Sequence, residues 1–330
     1  MANLTAGYTI VEMAKNIAPD GSQMHIAKTM AIEIAMLQDI VWFPSNDTWA
    51  HKSTQQSKLS AGTWRGVNEY VTPGIVLTRD QSDVIGMIDD FAIYDKKWID
   101  RQPDPRMARL GRSTMYLQGI AESIATAFLY GNNAITPKKP HGLAPRLNDT
   151  DQRYVISNGG SSNLTSIYVV NWGMNQVFGV YPKNGQPPEG DFLVKQTDMT
   201  GPEGRIDTVS SQKMVVYEDH FEFEGGLVVE DPRCLGRVCN IDYTTASTST
   251  FENDLITLMD LLKTGPGTCI YMNESIISSA RIRMKDKGNV HWGPGVGEGL
   301  FGKSVLSFDG IPIKKIDSKI LLNSETQVTS

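Results

Sequence analysis

The chain has 330 residues, 40% hydrophobic and 21% charged, with Gly 30 and Pro 16. That composition suits a folded protein with one large core or two modest ones and excludes a disordered or fibrous chain. Lys+Arg 31 against Asp+Glu 37 leave a formal net charge of −6, which argues against a surface that clamps nucleic acid through dense phosphate contacts.

No apolar run approaches the roughly 20 residues of a membrane-spanning helix. The opening MANLTAGYTIVEMAK lacks the basic leader and apolar stretch of a signal peptide, so the Asn-x-Ser/Thr triplets are expected to carry no glycan. Two helical patterns come first. Residues 9–17 are stopped by Pro19-Asp20-Gly21, and residues 23–40 carry Ile26, Met30, Ile34, Leu37 and Val41 three to four apart before Pro44 closes them.

From Ser45 to Asp83 the texture changes. Thr, Ser, Gln and Gly dominate, and apolar residues (Trp49, Leu59, Trp64, Val67, Val71, Ile75, Leu77) are sparse. Lys52, Lys58, Arg65 and Arg79 balance Asp47, Glu69, Asp80 and Asp83. This reads as a long polar β-excursion returning near Val84. About forty residues without a core face is unusual inside a compact domain, so the segment is either floppy or ordered by something outside its own fold.

The clearest helix follows, with Asp104 as N-cap, Pro105 at the first position and Gly131 just past the end. Met107, Leu110, Thr114, Leu117, Ala121, Ile124 and Phe128 form one seam along it. At 1.5 Å per residue, about 26 residues span about 39 Å. Gly111 and Gly119 each weaken it by about 1 kcal/mol relative to Ala, so packing must hold it.

Residues 150–245 read mainly as β. Segments 166–172, 176–181, 213–224 and 226–231 are rich in β-branched and aromatic residues, and Gly225-Gly226 offers a tight hairpin between the last two. Cys234, Cys239 and Cys269 are too few for a disulfide framework and suit a reducing compartment. Cys234 and Cys239 point to opposite faces of extended chain, which favours ordinary buried thiols over a zinc pair. Helices are expected at 251–263, with Leu255, Leu258, Met259 and Leu262 on one side, and at 274–287, capped by Asn273 and ended by Gly288. Residues 305–320 alternate like strands broken by Gly310 and Pro312.

One catalytic string matches. Gly297-Glu-Gly-Leu-Phe-Gly302-Lys303-Ser304 fits the phosphate-cradling G-x4-G-K-[ST] pattern, but extended-looking sequence with two helix breakers follows where a helix is required. A glycine-rich turn between strands is the better reading. The five histidines (His25, His51, His141, His220, His291) are scattered. Glu218, His220, Glu222 and Glu224 share one strand face that could hold a divalent cation, although exposed acidic faces are far commoner. No catalytic residue, cofactor or metal is expected.

Several stretches, in order along nearly the whole chain, resemble the major capsid proteins of tailed, mostly short-tailed, bacteriophages with the HK97-like fold. They are LQDIVWFP (37–44), Thr63-Trp64-Arg65 with Asn68-Glu69, FLYGNNAITPKKPHGLAPRLN (128–148), TSIYVVNWGMNQVFGVYPK (165–183), GLVVEDPRCLGRVCNID (226–242), IYMNESI (270–276) and FDGIPIKKID (308–317).

The resemblance implies an α+β HK97-like capsid fold. Residues 1–44 would be the N-terminal arm, 45–100 the extended E-loop with its flanking strands, and 101–131 the spine helix of the peripheral domain. Residues 132–245 would be the β-rich part of the peripheral and axial domains, and 246–330 the axial-domain helices and strands. Strand connectivity is expected to be rearranged, because little chain follows the axial-type stretch and peripheral strands must come from within 150–245. The E-loop would meet neighbouring subunits through Trp49, Lys58, Trp64, Arg65, Glu69 and Arg79, and the spine seam would be Met107, Leu110, Leu117, Ile124 and Phe128.

The function implied is a coat protein, not an enzyme. It would self-assemble as pentamers and hexamers into an icosahedral shell around double-stranded DNA held without sequence-specific contacts. A cement or decoration protein, a scaffold and a portal are further partners of such a shell; no membrane is involved. The protein would be made in the host bacterial cytoplasm and reside in the virion. The alternatives are a cellular nanocompartment shell of the same fold and, further off, a nucleotide-dependent enzyme using residues 297–304.

Overall fold

The computed structural model describes residues 34–185, 194–200, 204–209, 212–245, 251–283, 292–294 and 306–329. The expected helix at 9–17, most of that at 23–40, the end of that at 274–287, and the glycine string at 297–304 lie outside these residues. The chain divides into two compact units. Described residues of the smaller come from Ile88–Ser123 and Phe192–Phe223; the larger comprises Glu33–Met87, Ile124–Asp191 and Glu224–Ser330.

In the larger unit, seven strands among the described residues form one sheet. They are β5 (Val155–Ser157), β6 (Leu164–Asn171), β11 (Leu235–Asp242), β12 (Thr268–Asn273), β13 (Trp292–Pro294), β14 (Leu306–Phe308) and β15 (Ile311–Ile316), in the order β13-β14-β15-β12-β6-β11-β5. The sheet therefore draws on both sides of residue 245. β6 is antiparallel to both neighbours, while β12–β15 and β11–β5 are parallel. Every residue of β6 is buried, as a strand covered on both faces requires, and its near-continuous apolar run is the sequence mark of that position.

One face of the sheet packs on two helices, α5 (Phe251–Leu261) and α6 (Glu274–Arg283). Ile167, Val169, Val238, Ile270 and Met272 of the strands meet Phe251, Leu255 and Leu258 of α5 and Ile276, Ile277 and Ala280 of α6. Between β14 and β15, Asp309 and Gly310 both take positive φ, 49° and 77°, the requirement of a two-residue hairpin turn that matches strand twist.

Residues beyond β15 are sewn into this unit by polar contacts. Arg237 and Glu325 form a buried ion pair at 2.9 Å, with both side chains 4% exposed. The Arg237 guanidinium also donates to Ser166 Oγ at 3.0 Å and to the Leu147 carbonyl at 2.9 Å. Glu325 accepts from Tyr130 Oη at 2.5 Å and from Ser166 Oγ. Burial, then the Glu325 charge, pushes the Tyr130 and Tyr168 phenols well above their ordinary range. Asn240 holds Val328 through two bonds of 2.8 and 2.9 Å, and Asn273 donates to the Leu321 carbonyl at 2.5 Å. The short helix α1 (Ala35–Asp39) is fixed by Asp39, which accepts from Tyr271 Oη at 2.5 Å and pairs with Lys314.

A second sheet has the order β1-β7-β10-β4, made by β1 (Trp42–Pro44), β4 (Gly86–Asp95), β7 (Val177–Tyr181) and β10 (Gln212–Val229); β8 (Lys195–Asp198) and β9 (Arg205–Val209) also pair with β10. In the larger unit β7 runs parallel to β1 and antiparallel to the end of β10, with Gly226 opposite Val180. In the smaller unit β8 and β9 pair antiparallel with the earlier part of β10.

Here the structure corrects the sequence reading: β10 is one strand of 18 residues with no hairpin at Gly225-Gly226. Gly226 is in the ladder, and a Cβ there would lie 2.9 Å from the Val84 carbonyl oxygen, so the glycine serves close approach rather than a turn.

The long helix α3 (Pro105–Tyr130) begins on Asp104, whose side chain caps the Arg106 and Met107 amides at 3.1 and 3.2 Å. Its expected seam is buried only toward the C-terminal end, at Ile124 and Phe128, while Met107 and Leu110 are each 55% exposed and Leu117 is half-buried. The reason is electrostatic. The inward side of the first turns carries Ala108, Arg109 and Ser113, and Arg109 makes a two-pronged bond of 2.5 and 3.1 Å to Asp219, itself 1% exposed. Ser113 Oγ adds a contact to Asp219 at 3.3 Å, and Arg109 also reaches Asp198 at 2.7 Å. Bidentate geometry at a buried carboxylate fixes the helix rotation more strongly than two exposed apolar side chains.

No helix among the described residues is long and apolar enough to cross a membrane.

Two outcomes follow. Arg237→Met should destabilise the protein by about 3–5 kcal/mol by leaving Glu325 buried without its cation. The double variant with Glu325→Leu should recover much of that in denaturant unfolding. In the smaller unit, burial alone would raise the Asp198 carboxyl, but the hydrogen bonds from Arg109 and Thr200 hold it below its ordinary 3.8. A depressed folded-state value means its contribution is complete above 3.8 and is lost as pH falls through the lowered value. Asp198→Asn should therefore lower the unfolding midpoint at pH 7, and the two midpoint curves should converge in strong acid.

Candidate assembly surface

Two strands of the larger unit form a sheet by themselves: β2 (Ala50–Lys58) and β3 (Leu77–Val84), antiparallel, with Ala50 opposite Val84 and a shift between Gln56 and Lys58. Their sequences, AHKSTQQSK and LTRDQSDV, are largely polar, with Ala50, Leu77 and Val84 only at the strand ends, and offer no continuous apolar face. Both outer edges lack a further strand among the described residues. A two-stranded ribbon of this kind is marginal in water without support.

Among the described residues, support comes at the root. The Ile85 amide bonds the Trp49 carbonyl at 3.0 Å, Gln55 Nε2 donates to the Val229 carbonyl at 3.1 Å, and His51 lies 3.4 Å from Glu230. Asp83 pairs with Arg146 at 2.7 Å, both nearly buried. Lys52 and Asp47 close a surface pair at 2.7 Å, and its hydrogen bond and charge hold the Asp47 carboxyl below its usual range.

Beyond the root, residues 59–76 form no ladder and rest on their own local turn. Glu69 Oε2 accepts from the Gly66 amide at 2.7 Å, and Arg65 donates to the Glu69 carbonyl at 3.2 Å. Arg65 and Glu69, expected as contacts to a neighbour, thus first shape the tip itself. Asn68, with φ 65°, sits in the left-handed region this turn needs. Around it the apolar side chains have nothing to pack on: Trp64 is 102% exposed, Tyr70 104% and Val67 93%, and Leu59, Ile75, Val76 and Leu77 are exposed too. Of the other expected contacts, Lys58 and Arg79 are exposed and Trp49 half-exposed at the root. Tyr70 and Val76 were not singled out in the sequence; the available signal was that they extend an apolar set lacking any period.

The other candidates resolve differently. Glu218 is buried against Arg205, and Glu222 pairs with Lys195. His220 stacks on Phe91 at 4.4 Å and approaches Asp89 at 3.3 Å. Asp89, His220 and Glu222 could bring ligand atoms within 4.8 Å of one another, and the Lys195 ammonium competes for the same carboxylate. Cys234, Cys239 and Cys269 are free and buried, and burial raises all three thiols, Cys269 to about 11.

Comparison with known proteins puts this geometry in context. The family described as Major capsid protein GP7 matches residues 18–329. A chain in the near-atomic structure of bacteriophage epsilon15 is 24% identical, with 100% of this chain and 99% of that one covered at a TM-score of 0.75, so the two share a fold. A chain of the bacteriophage JBD30 capsid is 11% identical over 91% of this chain and 95% of that one, at 0.49. One of the SrpI encapsulin complex from Synechococcus elongatus PCC 7942 is 10% identical over 63% and 87%, at 0.42. No curated protein matches the chain.

Because Trp64 and Tyr70 lie fully in water and Ile75 is largely exposed, replacing all three by Ser should leave the unfolding free energy of the isolated chain within about 0.5 kcal/mol of wild type. A larger loss would mean that the tip packs on its own body.

Proposed function

Because this chain belongs to the Major capsid protein GP7 family, we propose that its copies join through the β2–β3 hairpin into pentamers and hexamers of a closed icosahedral shell around phage double-stranded DNA. One observation carries the reading: a hairpin without an apolar face ends in a tip whose Trp64, Val67 and Tyr70 are fully in water. Burying each of these on a neighbour is worth about 1.5–3 kcal/mol, and each contact recurs in every copy. Contacts of that number and apolarity are what large obligate interfaces use.

The net charge of −6 accords with DNA confined by a wall rather than gripped through its phosphates. The role is structural rather than catalytic, and its place is the virion, after synthesis in the host cytoplasm. The nanocompartment alternative has a distant encapsulin likeness that carries no argument.

Electron microscopy of the purified chain tests the proposal. Wild-type protein should give uniform closed shells, and the Trp64→Ser, Tyr70→Ser, Ile75→Ser variant should remain as small soluble species of unchanged fold. Wild-type chains that stay monomeric at high concentration, or a variant that still closes shells, would sink it.

A further inference from the structure

At the root of the hairpin, within the larger unit, lies a cavity of about 580 Å³. Its lining includes Arg79 and Asp83 of β3 together with His141, Arg146 and Arg153 from the segment between α3 and β5. Asp83 is the one carboxylate among the lining residues, and it is engaged: Arg146 Nη2 bonds it at 2.7 Å and Gln81 at 3.2 Å. The same Nη2 reaches the carbonyls of His141 at 3.2 Å and Leu227 at 3.0 Å. No carboxylate of the lining is left to offset the charge of Arg79, or of Arg153, whose guanidinium lies 5.8 Å from the Tyr154 ring centre.

A second observation is independent of this charge count. Arg146, 9% exposed, keeps its Nε buried with no hydrogen-bond partner, and so does His141 at Nδ1. A buried guanidinium N–H without an acceptor is costly and uncommon in native structures, while the His141 nitrogen can donate or accept according to its tautomer. Three arginines against one engaged carboxylate disfavour a metal ion. What satisfies fixed planar donors around an excess of positive charge is a multivalent oxyanion, which accepts from several guanidiniums at once. The volume leaves room for water to complete its shell.

We propose that this cavity binds a multivalent oxyanion of the phosphate class, bridging Arg79 on the hairpin to Arg146 and Arg153 on the body and so fixing the hairpin at its root. The inference does not rest on shell assembly, since every residue belongs to one chain.

The test is calorimetric titration of the purified full-length chain with inorganic phosphate at constant ionic strength in chloride. It is paired with hydrogen exchange of the root amides of β2 and β3. Saturable binding of one phosphate per chain is expected, with at least twofold slower exchange at the root. Arg146 is half of a buried ion pair and its variant risks misfolding, so Arg79→Gln with Arg153→Gln is the informative change. It should weaken phosphate binding at least tenfold while the phosphate-free Tm stays put. No saturable heat, equal binding by the double variant, or the same protection from chloride alone would overturn the proposal. So would binding that leaves root exchange unchanged.

Discussion

Two hydrogen-bonded strands cannot enclose anything. From that constraint on β2 and β3 follows most of what is unusual in this molecule. A ribbon two strands wide has two faces and no interior, so apolar residues placed at its end have no choice but water or another molecule. The sequence keeps both strands polar, which holds the ribbon soluble, and concentrates Trp64, Val67 and Tyr70 at the tip. The body meanwhile grips the root through Asp83–Arg146 and the Gln55 side chain. A ribbon held at its root and apolar at its tip suits the contact with a neighbour proposed above.

The body is organised on the opposite principle. Its central strand β6 is covered on both faces: one side is a hydrocarbon core with α5 and α6, and the other is held by ions and amides around Arg237 and Glu325. A buried pair of this sort adds little over an apolar replacement but penalises any arrangement that separates its members. It specifies where the last stretch of chain must lie. Arg109 does the same for the long helix, setting a rotation that its apolar seam alone would not choose.

How much of this was legible in the sequence depended on the range of the interaction. Local signals worked where local physics decides. The Asp104 cap and Gly131 stop bounded α3, Gly310 marked the break between the last strands, and the polar run from Ser45 to Asp83 marked a stretch without a core face. The signals misled where a distant partner decides. Gly225-Gly226 looks like a turn until Val84 is seen to pass against it, and Met107 with Leu110 looks like a core edge until Asp219 claims the neighbouring Arg109. The hairpin-root cavity was invisible for the same reason: Arg79 sits on a segment far along the chain from Arg146 and Arg153.

The Arg237–Glu325 pair also links distant parts of the chain. Its members are separated by 88 positions, and Arg237 occupies an interior strand that is synthesised long before its counter-charge. Without Glu325 in place, Arg237 would face only the neutral oxygens of Ser166 and Leu147. Burial of Arg237 and docking of the stretch around Glu325 are thereby coupled across the chain.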